Sequence, residues 1–151
     1  MNPRQINIET IETHLGNELG KSSWRTIHQD GVNAFADITG DHQWIHTDPA
    51  RAVEGPFGHT IVHGYFTLAL IPVLASEVYQ LTGARMAVNY GLNKVRFPAP
   101  VPVGLRVRLR ATPIDYQAQD GGGLLTSRMV IEIENEDKPA CVAETVTLVR
   151  M

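Results

Sequence analysis

The sequence contains a single cysteine, Cys141, among its 151 residues. One thiol cannot form an intramolecular disulfide or supply a cysteine-rich zinc site. Long apolar runs are also lacking, since the longest, Tyr65–Ala75, has about half of the roughly 20 residues that a membrane crossing needs and includes Pro72. Residues 1–16 hold no apolar segment of signal-peptide length. These absences predict a cytoplasmic protein that does not span a membrane.

An excess of basic residues is lacking as well, because 13 Lys and Arg stand against 16 Asp and Glu and give a formal charge of -3. This balance argues against a nucleic-acid-binding surface, which usually shows clustered Lys and Arg. The chain does have 43% hydrophobic and 19% charged residues. A chain of this length and composition can bury a core without a metal or a disulfide. We therefore expect one domain over residues 1–151.

The first half of the chain has a helical pattern. From His63 to about Gln80, apolar residues lie on every face, as in a helix that is wrapped by other structure. Pro72 should kink or divide this helix, and Gly83 should end it. Further upstream we expect a short strand at Ser23–Ile27, a helix at Gln29–Ile38, a loop at Thr39–Asp48 and a second short helix after Pro49.

The second half of the chain changes to the patterns of strands. Leu105–Arg110 alternates apolar residues with arginines, so that Leu105, Val107 and Leu109 should face a core. Glycines 121–123 indicate a hairpin loop. The predicted strands of one antiparallel sheet are Met86–Phe97, Leu105–Arg110, Leu124–Glu134 and Ala140–Val149. The fold class is therefore α+β, with a long apolar helix against a curved sheet.

Four of the six histidines lie close together in the sequence: His42, His46, His59 and His63. Two histidines four residues apart on a helix can bind zinc. The glycines at positions 40, 58 and 64 indicate loops instead, and positions 43 and 60 lack the glutamate of a helical metalloprotease motif. We therefore expect no metal site.

Asp41 and His46 lie five residues apart in a segment with turn character, and catalytic groups are often held on such loops. The two side chains can converge on one water molecule, with one group taking a proton and the other orienting it. Equally, Asp41 can cap the following turn and His46 can be an ordinary loop histidine. Gly64, at the start of the apolar helix, can offer its amide to a carbonyl oxygen or simply allow tight packing. These residues alone leave both alternatives open.

Three motifs together resemble a known family. Phe35–His46 with Ala52, Ile61–Gly64, and Val95–Val101 with Gly104 resemble the signature of the MaoC-like (R)-specific enoyl-CoA hydratases. The resemblance covers about residues 20–150 and is nearest to the small single-domain members, those like nodulation protein N and the mycobacterial (R)-hydratases. It implies the hot-dog fold of that family and a homodimer in which two sheets are joined.

The resemblance also implies an activity and its residues. That activity is the reversible hydration of a trans-2-enoyl-CoA to an (R)-3-hydroxyacyl-CoA, without a cofactor beyond the coenzyme A of the substrate. Asp41 and His46 match the pair that holds the added water, and Gly64 matches the amide that polarises the thioester carbonyl. His63 should orient the turn before Gly64, while His42 and His59 line the entrance. Which of Asp41 and His46 is the acid and which the base stays open.

One departure from the family pattern concerns substrate binding. Gln43 and Trp44 replace the usual Asn and Pro. We expect the Gln43 amide to bind water or ligand, while Trp44 adds bulk, so that this departure bears on the substrate shape rather than on the reaction type. Because the protein is net negative, a polyanionic coenzyme A needs a local basic patch, for which Asn93, Lys94 and Arg96 are the candidates. Two other functions remain as alternatives, a hot-dog acyl-CoA thioesterase and a non-catalytic acyl-thioester or lipid-binding module.

Overall fold

The computed structural model describes residues 2–151. Its strands are β1 (Arg4–Asn7), β2 (Gly20–Lys21), β3 (Arg25–Thr26), β4 (Tyr79–Thr82), β5 (Met86–Arg96), β6 (Arg106–Gln119), β7 (Gly122–Ile133) and β8 (Cys141–Arg150). Its α-helices are α1 (Gln29–Thr39), α2 (Trp44–Thr47), α3 (Pro49–Val53), α4 (Gly64–Ala69) and α5 (Ile71–Val78), and a 3-10 helix covers Ile8–His14.

The main sheet is antiparallel and has the order β2-β6-β7-β8-β5, with β3 also paired to β6. All four strands predicted downstream of the apolar helix are present, and glycines 121–123 do lie at the β6–β7 hairpin. The alternation in β6 is confirmed: Val107 and Leu109 are fully buried, while Arg106 and Arg108 bond Glu134 and Glu132 across the strand pair. Register shifts in β5 and β6 mark bulges, which bend a strand and increase its twist.

The predicted apolar helix is divided in two, as Pro72 indicated. α4 ends at Ala69, Leu70 stands between, and Pro72 occupies the first turn of α5, where its missing N–H costs no hydrogen bond. Leu74 of α5 is fully buried in the same hydrophobic core as residues of β6, β7 and β8. Within the single chain, other residues do not cover this helix on every face, since Tyr65 is 73% exposed and Val73 is 44% exposed.

The sequence patterns missed several short elements. The chain forms β4 directly after α5, where the helix was predicted to continue to about Gln80, and β4 pairs in parallel with β1. α2 lies inside the predicted loop Thr39–Asp48, and the predicted strand Ser23–Ile27 contracts to the two residues of β3. The helix expected after Pro49 is confirmed as α3, which Asp48 caps by accepting a hydrogen bond from the Arg51 amide at 3.0 Å.

Cys141 is the first residue of β8 and has no solvent-exposed surface. Burial raises the pKa of its thiol to about 11, because the apolar surroundings disfavour the thiolate. Within residues 2–151, no helix combines the length and the apolar character that crossing a bilayer requires.

Candidate active site

The turn after α1 places Asp41. Gly40 ends α1 in the left-handed conformation, with φ of 81°, and its amide bonds the Ala36 carbonyl at 2.8 Å. A residue with a side chain is strained at such a backbone angle, so glycine is the natural choice for this helix end. The chain then reverses, exposes half of the Asp41 side chain and enters α2, which carries His46.

His46 is buried, and its ring is fixed by the main chain. Its Nδ1 lies 2.7 Å from the carbonyl oxygen of Ile61. A carbonyl can only accept, so Nδ1 carries the hydrogen in the neutral ring and Nε2 keeps a free lone pair. Burial lowers the pKa of His46 below its usual value, and the nearby His63 lowers it further, while the Ile61 bond and Asp41 act in the opposite direction. The ring is therefore neutral at pH 7 and can accept a proton at Nε2.

His63 joins Asp41 to His46. The His63 ring is almost completely buried and stacks on the His46 ring, with centroids 3.9 Å apart. Its Nε2 donates to the main-chain oxygen of Asp41 at 2.9 Å and lies 3.9 Å from the Asp41 carboxylate. A side-chain nitrogen or oxygen from each of the three residues lies within 4.8 Å of the other two. One water molecule, at about 2.6–3.2 Å from each partner, can bridge groups at such separations.

The same cluster is poorly arranged for a metal ion. The two imidazole planes differ by only 23°, so the lone pairs of their nitrogens lie in nearly parallel planes. Zinc sits in the plane of each ligating ring at about 2.0–2.1 Å, which two stacked rings cannot both offer to one ion. One nitrogen of each ring is also bonded to a main-chain carbonyl. The geometry suits a bound water better than a metal.

Gly64 is the first residue of α4, so its amide has no partner one turn earlier in the helix. A cleft of about 290 Å³ brings this residue together with His46. The ring of Phe97 lies so close that a Cβ on residue 64 would be 3.2 Å from three of its carbons. The other residues of the cleft are mainly apolar and include Phe57, Ile61, Val62, Thr67, Ala99, Pro100, Val101 and Ala140.

The other predicted binding residues are more scattered. Gln43 is exposed at the start of α2, and its main-chain N–H donates to the Asp41 carboxylate at 3.4 Å. Lys94 and Arg96 are exposed on β5, and Arg96 is followed directly by Phe97. Asn93 lines a second cleft, whose residues lie on strands β5 to β8 and do not include His46.

Trp44 is not among the residues that line the cleft beside His46. Its indole lies under the guanidinium of Arg51, 4.4 Å from ring centroid to Cζ, and against Gly55, where a Cβ would be only 2.8 Å from the ring. Trp44 therefore packs α2 against α3. His42 and His59 also lie outside the lining of the cleft that holds His46.

Sequence reasoning missed two residues that support His46. Gln29 of α1 donates from Nε2 to the His46 main-chain oxygen at 2.7 Å. Its Oε1 accepts from the hydroxyl of Thr60, also at 2.7 Å, and Thr60 is buried. A glutamine at the start of a helix and a threonine in a loop carry no motif, so only the folded chain identifies them.

Comparisons with known proteins identify the family. The family model of the MaoC like domain matches residues 10–132. The 3-hydroxyacyl-thioester dehydratase Z of Mycobacterium tuberculosis (strain ATCC 25618 / H37Rv) is 54% identical over 141 residues, which are 93% of each chain. Nodulation protein N of Rhizobium leguminosarum bv. viciae is 41% identical over 149 residues, which are 97% of this chain and 92% of that one.

Among solved structures, the (R)-hydratase from A. caviae involved in PHA biosynthesis superposes with a TM-score of 0.72 at 24% identity, covering 88% of this chain and 94% of that one. This similarity confirms the predicted α+β hot-dog fold, an antiparallel sheet with a central helix. Together with the family model and the two relatives, it shows that the chain belongs to the MaoC-like dehydratase family.

Proposed function

We propose that this protein catalyses the reversible addition of water to a trans-2-enoyl thioester, giving an (R)-3-hydroxyacyl thioester. The observation that carries the proposal is the position of His46, a neutral ring that lies in one cluster with the Asp41 carboxylate and lines one cleft with Gly64, whose amide begins a helix. The name of the M. tuberculosis relative, a 3-hydroxyacyl-thioester dehydratase at 54% identity, supports the reaction class.

In the hydration direction, a water molecule sits between Asp41 and the free Nε2 of His46. The water oxygen bonds to C3 of the enoyl group while His46 takes one of its protons, and Asp41 accepts the other water hydrogen in a hydrogen bond that orients the attack. The electron pair of the double bond moves toward the thioester oxygen. His46 then returns its proton to C2, so that H and OH are added in total. Dehydration follows the same steps in reverse.

The Gly64 amide stabilises the enolate oxygen of the intermediate. Removal of one such donor commonly costs about 3 kcal/mol of transition-state stabilisation. The position suits this role because the N-terminal amides of a helix lack main-chain partners and carry partial positive charge. The absence of a side chain lets a ligand approach the main chain between Gly64 and Phe97.

The carrier part of the substrate requires positive charge at the mouth of the cleft. Arg96 is the best placed candidate, since it precedes Phe97, whose ring lines the cleft. Lys94 lies on the same strand two residues earlier, and both side chains are exposed. We assign the phosphates of coenzyme A to these two residues. Asn93 is left out of the proposed site, because it lines the second cleft, on strands β5 to β8.

The active form is proposed to be a homodimer joined through β5. This strand lies at one end of the main sheet and pairs only with β8 among the strands of residues 2–151. An unpaired strand edge invites pairing with another strand. Four large apolar side chains of β5 are also exposed, Met86, Val88, Tyr90 and Leu92, as is Tyr65 on α4. A second copy of the chain would cover both features.

The experiment that tests the reaction mixes the purified protein with crotonyl-CoA and with longer trans-2-enoyl-CoA substrates. We expect enoyl absorbance to fall without release of free thiol, and chiral chromatography of the product to give the (R) isomer. Thiol release would instead identify a thioesterase. Neither change at any chain length would leave an acyl-thioester-binding module.

Two substitutions test the assigned pair within the same assay. Asp41→Asn and His46→Gln keep the size of each side chain, so we expect both variants to fold and their kcat to fall by at least about 10²-fold. His42→Gln is the matched control, because His42 is exposed and lies outside the cleft lining. Wild-type turnover in either variant of the pair would remove that residue from the mechanism.

A further inference from the structure

We propose that Gln29 is a positioning residue for His46, an inference that rests on the proposed function of the site. The Gln29 side chain uses both of its N–H donors and its acceptor oxygen. Nε2 donates to the His46 carbonyl at 2.7 Å and to Asn33 Oδ1 at 3.0 Å, while Oε1 accepts from Thr60 Oγ1 at 2.7 Å. One amide group therefore ties α1 to α2 and to the segment that leads into α4.

These hydrogen bonds are part of a closed circuit that includes the catalytic imidazole. The main chain of His46 is bonded by Gln29, and the ring of His46 donates from Nδ1 to the carbonyl of Ile61. Ile61 is covalently joined to Thr60, whose hydroxyl returns to Gln29. The Ile61 amide in turn donates to the carbonyl of Ile45 at 2.9 Å, next to His46. The main chain and the imidazole of His46 are thus both held in place by bonds that lead to Thr60 and Ile61.

This circuit of hydrogen bonds determines which nitrogen of the His46 imidazole faces the substrate. The Ile61 carbonyl keeps the hydrogen on Nδ1 only while the imidazole and Ile61 hold their relative positions. Gln29 is a side chain that bonds both sides of this pair, because it contacts His46 directly and Ile61 through Thr60. Loss of its amide leaves the His46 carbonyl without that donor and frees Thr60 to rotate. We then expect the His46 imidazole to sample both tautomers.

The test is nitrogen NMR of the histidine rings, which reads the tautomer directly and does not depend on catalysis. Long-range ¹H–¹⁵N spectra of uniformly labelled protein at pH 7.5 should show wild-type His46 protonated at Nδ1, with its signals identified by their loss in His46→Gln. In Gln29→Leu and Thr60→Val we expect the two ring nitrogen shifts to move toward each other. Thr60→Ser, which retains the hydroxyl, should restore the wild-type values.

The matched control is Asn33→Ala, which removes the other acceptor of Gln29 Nε2 on exposed α1 surface and leaves the bond to His46. Its His46 spectrum should equal that of the wild type. Unchanged His46 shifts in folded Gln29→Leu and in Thr60→Val would overturn the proposal, and Thr60→Val covers the case in which Gln29→Leu does not fold.

Kinetics provide a second readout that separates this inference from the proposed function. In Gln29→Leu we expect kcat for hydration to fall about 10- to 100-fold with little change in KM, because the base is displaced while the binding cleft is intact. A wild-type kcat in this variant would overturn the positioning role. If the wild-type protein hydrates no enoyl thioester, the proposed function fails, and the NMR spectra still decide whether Gln29 fixes the His46 ring.

Discussion

At the scale of single residues, the site depends on an imidazole that is kept neutral. Burial removes His46 from water, and the charged form loses more solvation than the neutral one. The carbonyl of Ile61 fixes the hydrogen on Nδ1, and the neighbouring His63 also lowers the pKa of His46. Together these contacts leave a lone pair on Nε2 over the physiological pH range.

The lowered pKa of His46 has a consequence for the pH dependence of the reaction. Hydration needs the neutral ring, so activity is lost only when the pH falls through the pKa of His46. Because that pKa lies below the ordinary imidazole value of 6.5, we expect kcat/KM for hydration to fall to half of its plateau value at a pH below 6.5. Stopped-flow enoyl absorbance across pH 5–8 measures this profile.

The control for the pH profile is His42→Gln, since the His42 side chain is exposed and lies 3.7 Å from the Asp37 carboxylate on the surface. This variant should reproduce the wild-type acid limb. A limb centred above pH 6.5 in the wild-type protein would contradict the assignment of a buried, neutral His46 as the base.

A second residue-scale prediction concerns Gly64. In Gly64→Ala the new methyl group would lie 3.2 Å from the Phe97 ring, so the ring must shift and the approach to the amide narrows. We expect kcat/KM to fall by at least tenfold while the protein stays folded, as measured by enoyl hydration and by circular dichroism.

Gly31→Ala is the matched control for that substitution. Gly31 also lies in the first turn of a helix, α1, but a Cβ there meets the Phe66 ring at an ordinary 3.8 Å. Its activity should equal that of the wild type, and its stability should rise slightly, because alanine has the higher helix propensity. Equal activities for Gly64→Ala and Gly31→Ala would show that the substrate does not approach the Gly64 amide.

The residues of the site differ in how far the sequence could predict them. Asp41, His46 and Gly64 stand in motifs with fixed spacing, and the fold places Asp41 close to His46 and Gly64 in the same cleft as His46. Gln29 could not be predicted, since its role arises from contacts with residues 17 and 31 positions away. The orientation of Trp44 likewise depends on Arg51 and Gly55, which meet it only in the folded chain.

At the scale of elements, the divided helix α4–α5 anchors the site to the core. The first half places Gly64 at its start, and the second half buries Leu74 completely in the main hydrophobic cluster. We expect Leu74→Ala to reduce the free energy of unfolding by about 2–5 kcal/mol, because the substitution leaves a cavity. Urea denaturation at one fixed protein concentration measures the change.

Ile38→Ala serves as the control for the cavity. Ile38 lies on α1 and is 85% exposed, so truncation of its side chain removes little buried surface. Its effect should stay within about 0.5 kcal/mol. Equal losses for both variants would mean that α5 does not contribute the core contacts described above.

Long patterned elements could be predicted, and short ones with distant partners could not. β5 to β8 have ten or more residues each, so their alternation and β-rich composition are visible in the sequence. β1 and β4 have four residues each and exist because they pair with one another, across more than 70 positions of chain. The pattern around Tyr79 is equally compatible with a continued helix, and tertiary pairing decides between the two.

At the scale of the whole molecule, the exposed apolar side chains concentrate on β5 and the neighbouring helices. We expect sedimentation equilibrium to give twice the chain mass of 16.7 kDa for the wild type. The double variant Tyr90→Lys/Leu92→Lys should sediment as a monomer, because it places two charges on the apolar surface of β5.

Ile38→Lys controls for a general effect of exchanging an exposed apolar residue for a charge, and this variant should remain dimeric. A monomeric wild type, or a dimer that persists in the double variant, would mean that β5 is not the joining strand. The fold of one chain could be predicted from its own periodicity, whereas the exposed edge of β5 became visible only in the folded chain.

The buried position of Cys141 allows the opening of the core to be measured through the reactivity of one thiol. A thiol without exposed surface and with a pKa of about 11 is almost fully protonated at neutral pH, so it reacts with a disulfide reagent only after β8 has separated from its neighbours. In an assay that detects released coenzyme A by its thiol, the native protein therefore contributes little signal of its own. In the absence of substrate, the slow labelling of this one sulfur reports how often the core opens.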